Sequence, residues 1–237
     1  VLPVTGKNRE SLLMPGTEGG VQVYREGSPL REVSLGQGRL KDLKVLRDKD
    51  KNGPLLLALY DERAELYRWN GGEPQKLWSG QHRGGLAYSV DLDRDGRDEL
   101  VMTNSAYDQE AHRFKGNVLV YSLAEGTPRL LWDSVDTGAF QAGFGDLNGD
   151  GRPEIIAGVE AGFRCPDTRK GRIVVYTRTE DSSGWSEAWR GPVYEEGESV
   201  FAVADTDGDG AGELYAGNSG NCDNMGTFRM FRAGSGN

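Results

Sequence analysis

Cysteine is nearly absent. Cys165 and Cys222 are the only two in 237 residues, too few for a disulfide-built scaffold and without the CxxC spacing of a zinc or redox motif. Long apolar runs are missing as well. No window approaches 18 consecutive apolar residues, so no membrane-spanning helix is expected, and the N-terminal VLPVTGKNRE has neither the basic start nor the apolar stretch of a signal peptide. Histidine occurs twice, at His82 and His112, and no GxSxG, HExxH or GxxxxGKS/T string is present. A basic excess is lacking too: 28 Lys and Arg stand against 37 Asp and Glu, and a net charge of −9 argues against general attraction to nucleic acid or anionic membrane. Nor is there a helical period, since apolar residues recur with a spacing of two almost everywhere.

Glycine is plentiful. The chain has 35, about twice the usual share near 7%, with no three-residue period, which implies many tight turns between short strands. With 36% hydrophobic residues the chain can bury a core. Three strings align without gaps: DLDRDGRDEL from Asp91, DLNGDGRPEI from Asp146 and DTDGDGAGEL from Asp205; a worn copy, DKDKNGPLLL, starts at Asp48. Each is preceded by an alternating apolar run (LKDLKVL, GLAYSV, FQAGFG, VFAVA) and followed by another (LLLALY, ELVMTN, EIIAGV, ELYAGN). A third run ends in an aromatic (AELYRW, GNVLVYS, GRIVVYT, TFRMF), and most units have a fourth with Trp or Leu (PQKLWS, TPRLLWD, SEAWRG).

Four short strands per unit, called A to D here, are the pattern of a propeller blade, with the acidic string in the A–B turn. The expected fold is therefore all-β, a β-propeller of four-stranded antiparallel blades in a single domain. Its repeat units fall at about 1–36, 37–80, 81–134, 135–193 and 194–237, the first lacking most of strand A and the last lacking strand D. Five blades are expected, with part of a larger, six- to eight-bladed propeller as the alternative; a β-sandwich is the competing architecture.

A hard cation such as Ca²⁺ takes six to eight oxygens, and alternating acids in a sharply turning loop supply them. Side chains at positions 1, 3 and 5 converge, Gly at 6 allows the turn, position 7 offers its carbonyl and the acid at 9 closes the shell. The sets are Asp91, Asp93, Asp95, Arg97 and Glu99; Asp146, Asn148, Asp150, Arg152 and Glu154; Asp205, Asp207, Asp209, Ala211 and Glu213. An EF-hand is excluded because position 12 is Met102, Ala157 or Ala216 rather than Glu, and because both flanks read as strands. Polar turns without an ion are the plain alternative, but three aligned clusters of this density would repel themselves without a cation. The copy with Asp48, Asp50 and Asn52 has Leu56 at the closing position and is expected to be weak or empty. About three structural calcium sites are expected.

This constellation resembles the FG-GAP (or VCBS) repeat of integrin alpha-subunit propellers and many bacterial secreted proteins. The string FGDLNGDGRPEIIAGVE from Phe144 carries both the Phe-Gly and the acidic loop, whereas only Gly158 and Gly217 echo the Gly-Ala-Pro part. The resemblance implies a calcium-stabilised propeller with its calcium loops on the face opposite the B–C loops.

The last three B–C segments, SAYDQEAHRFKG, AGFRCPDTRKG and SGNCDNMG, read as long loops on that other rim. Candidate ligand residues are Tyr107, Asp108, His112, Arg113, Arg164, Asp167, Arg169, Asn221 and Asn224. Solvated connectors are the alternative. Cys165 and Cys222 occupy corresponding B–C loops, so a disulfide between neighbouring blades is expected, with two reduced thiols as the alternative. His82, in a D–A turn, and His112 would share the same rim as surface histidines, and a pair of this kind could serve acid–base or metal chemistry.

The leading expectation is a non-catalytic, calcium-stabilised recognition module of a secreted or cell-surface protein, binding carbohydrate or an extracellular protein through the B–C rim. The alternatives are a propeller-based polysaccharide lyase or hydrolase, and a purely structural blade set. Extracellular or periplasmic localisation is expected, with no nucleic-acid partner.

Overall fold

The computed structural model describes residues 2–6, 9–15, 20–24, 31–46, 54–110, 113–123, 127–135, 137–160, 171–181, 183–193, 200–217 and 228–232. Among them the alternating runs form nineteen strands and no helix. The first sheet contains β1 (Leu2–Gly6), β2 (Arg9–Pro15), β3 (Gly20–Tyr24) and β4 (Arg31–Ser34). The second contains β5 (Asp42–Leu46), β6 (Leu55–Leu59), β7 (Arg63–Arg68) and β8 (Gln75–Gln81). The third is β9 (Ala87–Val90), β10 (Glu99–Asp108), β11 (Arg113–Ser122) and β12 (Arg129–Asp133); the fourth is β13 (Ala139–Gly145), β14 (Glu154–Glu160), β15 (Gly171–Arg178) and β16 (Trp185–Arg190). A fifth, three-stranded sheet holds β17 (Val200–Ala204), β18 (Glu213–Gly217) and β19 (Phe228–Phe231). Strands pair in chain order throughout. The fold is all-β, built of the four-stranded antiparallel blades of a β-propeller.

Two expectations need correction. Strand A of the first sheet is not a remnant, because β1 pairs with β2 over five residues from Leu2↔Leu13 to Gly6↔Arg9. Only two residues separate Gly6 from Arg9, so this hairpin has no room for an acidic loop, and the loss of the acids hid the strand. In the third sheet, β10 and β11 each run for ten residues, which places Tyr107, Asp108 and Arg113 in strands rather than in a long loop. Close backbone pairing carries the ladder outward here: a Cβ on Gly116 would lie 1.6 Å from the Asn104 carbonyl oxygen.

The chain divides into two compact units: Val1–Asp91, Asp95–Leu100 and Tyr121–Arg129 form one, and Leu92–Arg94, Val101–Val120 and Leu130–Asn237 the other. In the first, all five residues of β6 are buried, and Leu56, Ala58 and Tyr60 join Leu13, Val21, Val33 and Leu43 in one apolar cluster. In the second, Ile156, Ile173, Val175, Leu214 and Ala216 pack together with Leu147, Phe201, Val203 and Phe231 around them. Each fully buried Leu or Ile contributes about 1.5–3 kcal/mol.

A recurrent aromatic staple explains the Trp of strand D and the aromatic of strand C. Trp78 meets Tyr121 at a centroid distance of 6.1 Å, Trp132 meets Tyr176 at 5.0 Å and Trp189 meets Phe231 at 5.5 Å. In each case the Trp lies on strand D of one sheet and its partner on strand C of the next, an arrangement worth about 0.5–1.5 kcal/mol beyond burial. The Phe-Gly pair has an equally direct cause. A Cβ on Gly145 would stand 2.2 Å from Cβ of Val203 and 2.5 Å from both its γ carbons, so β13 receives β17 only because that position is Gly.

The connection from β4 to β5 is strapped by polar groups. Tyr60 donates to the Leu35 carbonyl at 3.0 Å, and Arg63 donates to that of Gln37. Beneath Gly36 (φ +139°), the buried Glu65 accepts from the Tyr67 hydroxyl at 2.5 Å and from Lys76 at 2.7 Å. Burial works to raise the Glu65 carboxyl, but the Lys76 and Tyr67 hydrogen bonds outweigh it and hold the group below the usual carboxylate range.

Candidate metal centres

The three acidic strings lie where strand A hands over to strand B: between β9 and β10, β13 and β14, and β17 and β18. The closing glutamate begins strand B in each case, with Glu154 opposite Gly145 and Glu213 opposite Ala204. The turns share one backbone plan. Position 4 is left-handed in all three, at Arg94 (φ +60°), Gly149 (+75°) and Gly208 (+78°), and so is position 6, at Gly96 (+86°), Gly151 (+89°) and Gly210 (+93°). Two such residues in an eight-residue turn demand glycine, and Arg94 adopts the conformation against its preference.

Carboxylates organise these turns from within. Oδ2 of the first Asp accepts from the glycine amide at position 6: Gly96 to Asp91 at 2.9 Å, Gly151 to Asp146 at 2.7 Å and Gly210 to Asp205 at 3.0 Å. The Asp at position 5 accepts from the amide at position 7, so Asp95, Asp150 and Asp209 hold Arg97, Arg152 and Ala211. Glu154 and Glu213 are buried, and each takes the amide at position 2, from Leu147 at 2.7 Å and Thr206 at 2.8 Å. Asn148 bridges Glu154 at 2.9 Å and Asp150 at 3.3 Å.

Carboxylate oxygens of Asp91, Asp93 and Glu99 lie within 4.8 Å of one another, as do those of Asp205, Asp207 and Asp209. Oδ1 of Asp91 is buried and, among the described residues, has no hydrogen-bond partner. A buried, orphaned oxygen on an Asp whose carboxylate lies close to two others belongs to a donor set that fits a hard cation. Burial pushes the Glu154 carboxyl up, and Asp150 and Asp146 push the same way, against the Leu147 and Thr177 hydrogen bonds. Glu213 is held down instead, by the Thr206 hydroxyl and amide.

Turns two and three stand side by side. The Gly212 amide donates to the Asp146 carbonyl at 2.7 Å, and a Cβ on Gly149 would be 3.2 Å from the Gly210 carbonyl oxygen. Nearby, a cavity of about 570 Å³ opens between the fourth and fifth sheets, lined by Val175, Trp189, Leu214, Met230 and Phe231, with Asn148, Glu154, Thr177 and Arg232 at its polar side. Sequence reasoning missed Thr177, Thr206 and Arg232. Their signal was the residue after each strand C aromatic and the residue after the first Asp, both easily read as plain strand and turn.

Asp48, Asp50 and Asn52 lie outside the described residues, while Leu56 is buried in β6 as a core residue. Of the ligand candidates, Asp108 pairs with Lys115 at 2.5 Å across the β10–β11 hairpin and accepts from the Glu110 amide. Tyr107 and Arg113 are strand residues whose side chains lie outside the description, and His112, Arg164, Asp167, Arg169, Asn221 and Asn224, like Cys165 and Cys222, lie outside the described residues altogether. His82 is not a surface group. It is 3% exposed, neither ring nitrogen has a partner among the described residues, and burial followed by the Lys41 charge pushes its pKa down.

No curated protein matches the chain. The FG-GAP-like repeat family matches residues 91–157, spanning turns one and two, and the FG-GAP repeat family matches residues 139–176, from β13 into β15. The matched segments hold the Phe-Gly pair, two acidic turns and the strands that carry them, and they support an FG-GAP repeat domain over residues 91–176.

Proposed function

We propose that the chain is a calcium-stabilised, non-catalytic recognition module. FG-GAP repeats are typical of extracellular recognition modules, mediate extracellular protein interactions and often bind calcium. The observation that carries the calcium reading is the orphaned, buried Oδ1 of Asp91 beside Asp93 and Glu99, in a turn whose backbone plan recurs at Asp146 and Asp205. Asp91, Asp93 and Glu99 would hold the ion in turn one, and Asp146, Asn148, Asp150 and Glu154 in turn two. Its chemistry there is charge neutralisation, which fixes the A–B turns and stiffens the blades; the carbonyls of Arg97 and Arg152 are candidate further donors.

We assign recognition, on the sequence pattern, to the B–C segments that carry Tyr107, Arg164 and Asn221, with an extracellular protein or a carbohydrate as partner. In a meander the A–B and B–C turns lie at opposite strand ends, so calcium acts on those segments only through stability. Calorimetric titration of calcium into chelator-treated protein, followed by protein and glycan arrays with and without chelator, tests both parts. Saturable calcium binding with a raised melting temperature is expected, since a ligand at a hundredfold excess over its Kd adds about 2.7 kcal/mol per site. A melting temperature indifferent to chelation overturns the calcium reading. Partner binding retained after Tyr107, Arg164 and Asn221 are all replaced by Ala overturns the rim assignment.

A further inference from the structure

The three acidic turns are alike in backbone but not in the cation each already faces. Ser122, Thr177 and Arg232 hold the same place in their repeats, one residue after the strand C aromatic Tyr121, Tyr176 or Phe231. From that place Thr177 Oγ1 donates to Oε1 of Glu154 at 3.2 Å, and Arg232 Nε stands 3.8 Å from Oε1 of Glu213. The position after the aromatic therefore addresses the closing glutamate in both turns, once with a neutral hydroxyl and once with a guanidinium.

Arg232 reaches further. Its Nη2 forms an ion pair with Oδ2 of Asp207 and lies 3.5 Å from Oδ2 of Asp209. One guanidinium thus meets the acids at positions 3, 5 and 9 of turn three, three of the four acidic side chains that a metal ion would draw on there. In turn two, among the described residues, no Lys or Arg pairs with Asp146, Asp150 or Glu154. In turn one, Arg178 approaches Asp93 at 3.5 Å.

We propose that Arg232 is a tethered cation that neutralises the third acidic turn, so that this turn holds calcium far more weakly than turn two and stays organised without it. A planar guanidinium with several donors and a permanent charge suits carboxylates that diverge around a centre, and it competes with a divalent ion for the same oxygens. Because the Arg232 guanidinium occupies these oxygens, it has to leave the carboxylates before an ion can be enclosed. The inference rests on the calcium reading of these turns and singles out one of them.

The test compares the wild-type chain with R232Q in two measurements. In calcium titration of chelator-treated protein, R232Q gains one ion per chain bound at least tenfold more tightly than the weakest wild-type site, while the other sites are unchanged. In chelator at low salt, R232Q melts below the wild type, because Asp207, Asp209 and Glu213 have lost their counter-charge, and saturating calcium brings it back to the wild-type value or above. Identical stoichiometry and affinities in the two proteins overturn the proposal, as does an R232Q melting temperature in chelator equal to that of the wild type. If no turn binds calcium in either protein, the calcium reading falls by itself, and the melting comparison in chelator decides whether Arg232 is the counter-cation.

Discussion

Replacing Gly145 by Ala puts a methyl group in place of a hydrogen where the fourth sheet receives the fifth. The new Cβ would lie 2.2 Å from Cβ of Val203 and 2.5 Å from each of its γ carbons, whereas carbon atoms rest at about 3.5–4.0 Å. Either β13 and β17 separate by more than an ångström or Val203 leaves its place beside Leu214. Overpacking of this kind costs about 1–3 kcal/mol, and the entropic gain of Ala over Gly returns only about 0.5–1 kcal/mol. For a chain of this length each kcal/mol lowers the melting temperature by about 2–4 °C, so a fall of several degrees is expected. Denaturant unfolding of Gly145→Ala, Val203→Ala and the double variant measures the coupling. The double variant should be more stable than the sum of the single effects by about 0.5–3 kcal/mol, since Val203→Ala removes the colliding atoms. An unchanged midpoint in Gly145→Ala, or strict additivity in the cycle, refutes the explanation of the Phe-Gly pair as a seat for the next blade.

His82 is buried neutral, with its folded pKa below the ordinary value near 6.5, so the unfolded chain binds the extra proton first as pH falls. Stability should therefore drop from about pH 6.5 towards the folded pKa with a slope of up to about 1.4 kcal/mol per pH unit; His82→Leu should flatten the slope, and equal pH profiles would contradict it. Gly208→Ala tests the left-handed turn position alone, because nothing lies within 4 Å of the added Cβ; a loss of about 1–2 kcal/mol is expected from backbone strain, and chemical denaturation reads it. Gly36→Ala should destabilise the chain by more than strain alone, since its Cβ meets Glu65 at 2.9 Å and the Tyr60 and Tyr67 hydroxyls at 3.1 Å; a thermal shift no larger than that of Gly208→Ala argues against the strap.

The blade pattern was legible because period-two alternation and a repeated turn are local signals. Asp91, Asp146 and Asp205 announce their turns by spacing alone, and the glycines at position 6 fall where φ is positive. What the residues could not announce was non-local. Arg232 comes 23 residues after Asp209 and belongs to a run that reads only as strand C; its meeting with Asp207 follows from β18 pairing with β19. His82 looked like a surface group because its neighbours Gln81 and Arg83 are polar, yet both its backbone amide, bonded to the Glu62 carbonyl at 3.1 Å, and its ring are drawn inward. The first strand lost its signature together with its acids, and the β10–β11 hairpin was underestimated because Tyr107, Asp108 and Arg113 have the polar character of a loop while pairing as strand.

The bond from the Gly212 amide to the Asp146 carbonyl clasps the fourth and fifth sheets at their acidic ends. The same position of turn two is Pro153, which has no amide hydrogen to give, so the clasp belongs to this one junction and is not a property of every repeat. A change of length that moved either turn would separate the donor from its acceptor, whereas a change ahead of Asp91 would leave the clasp untouched.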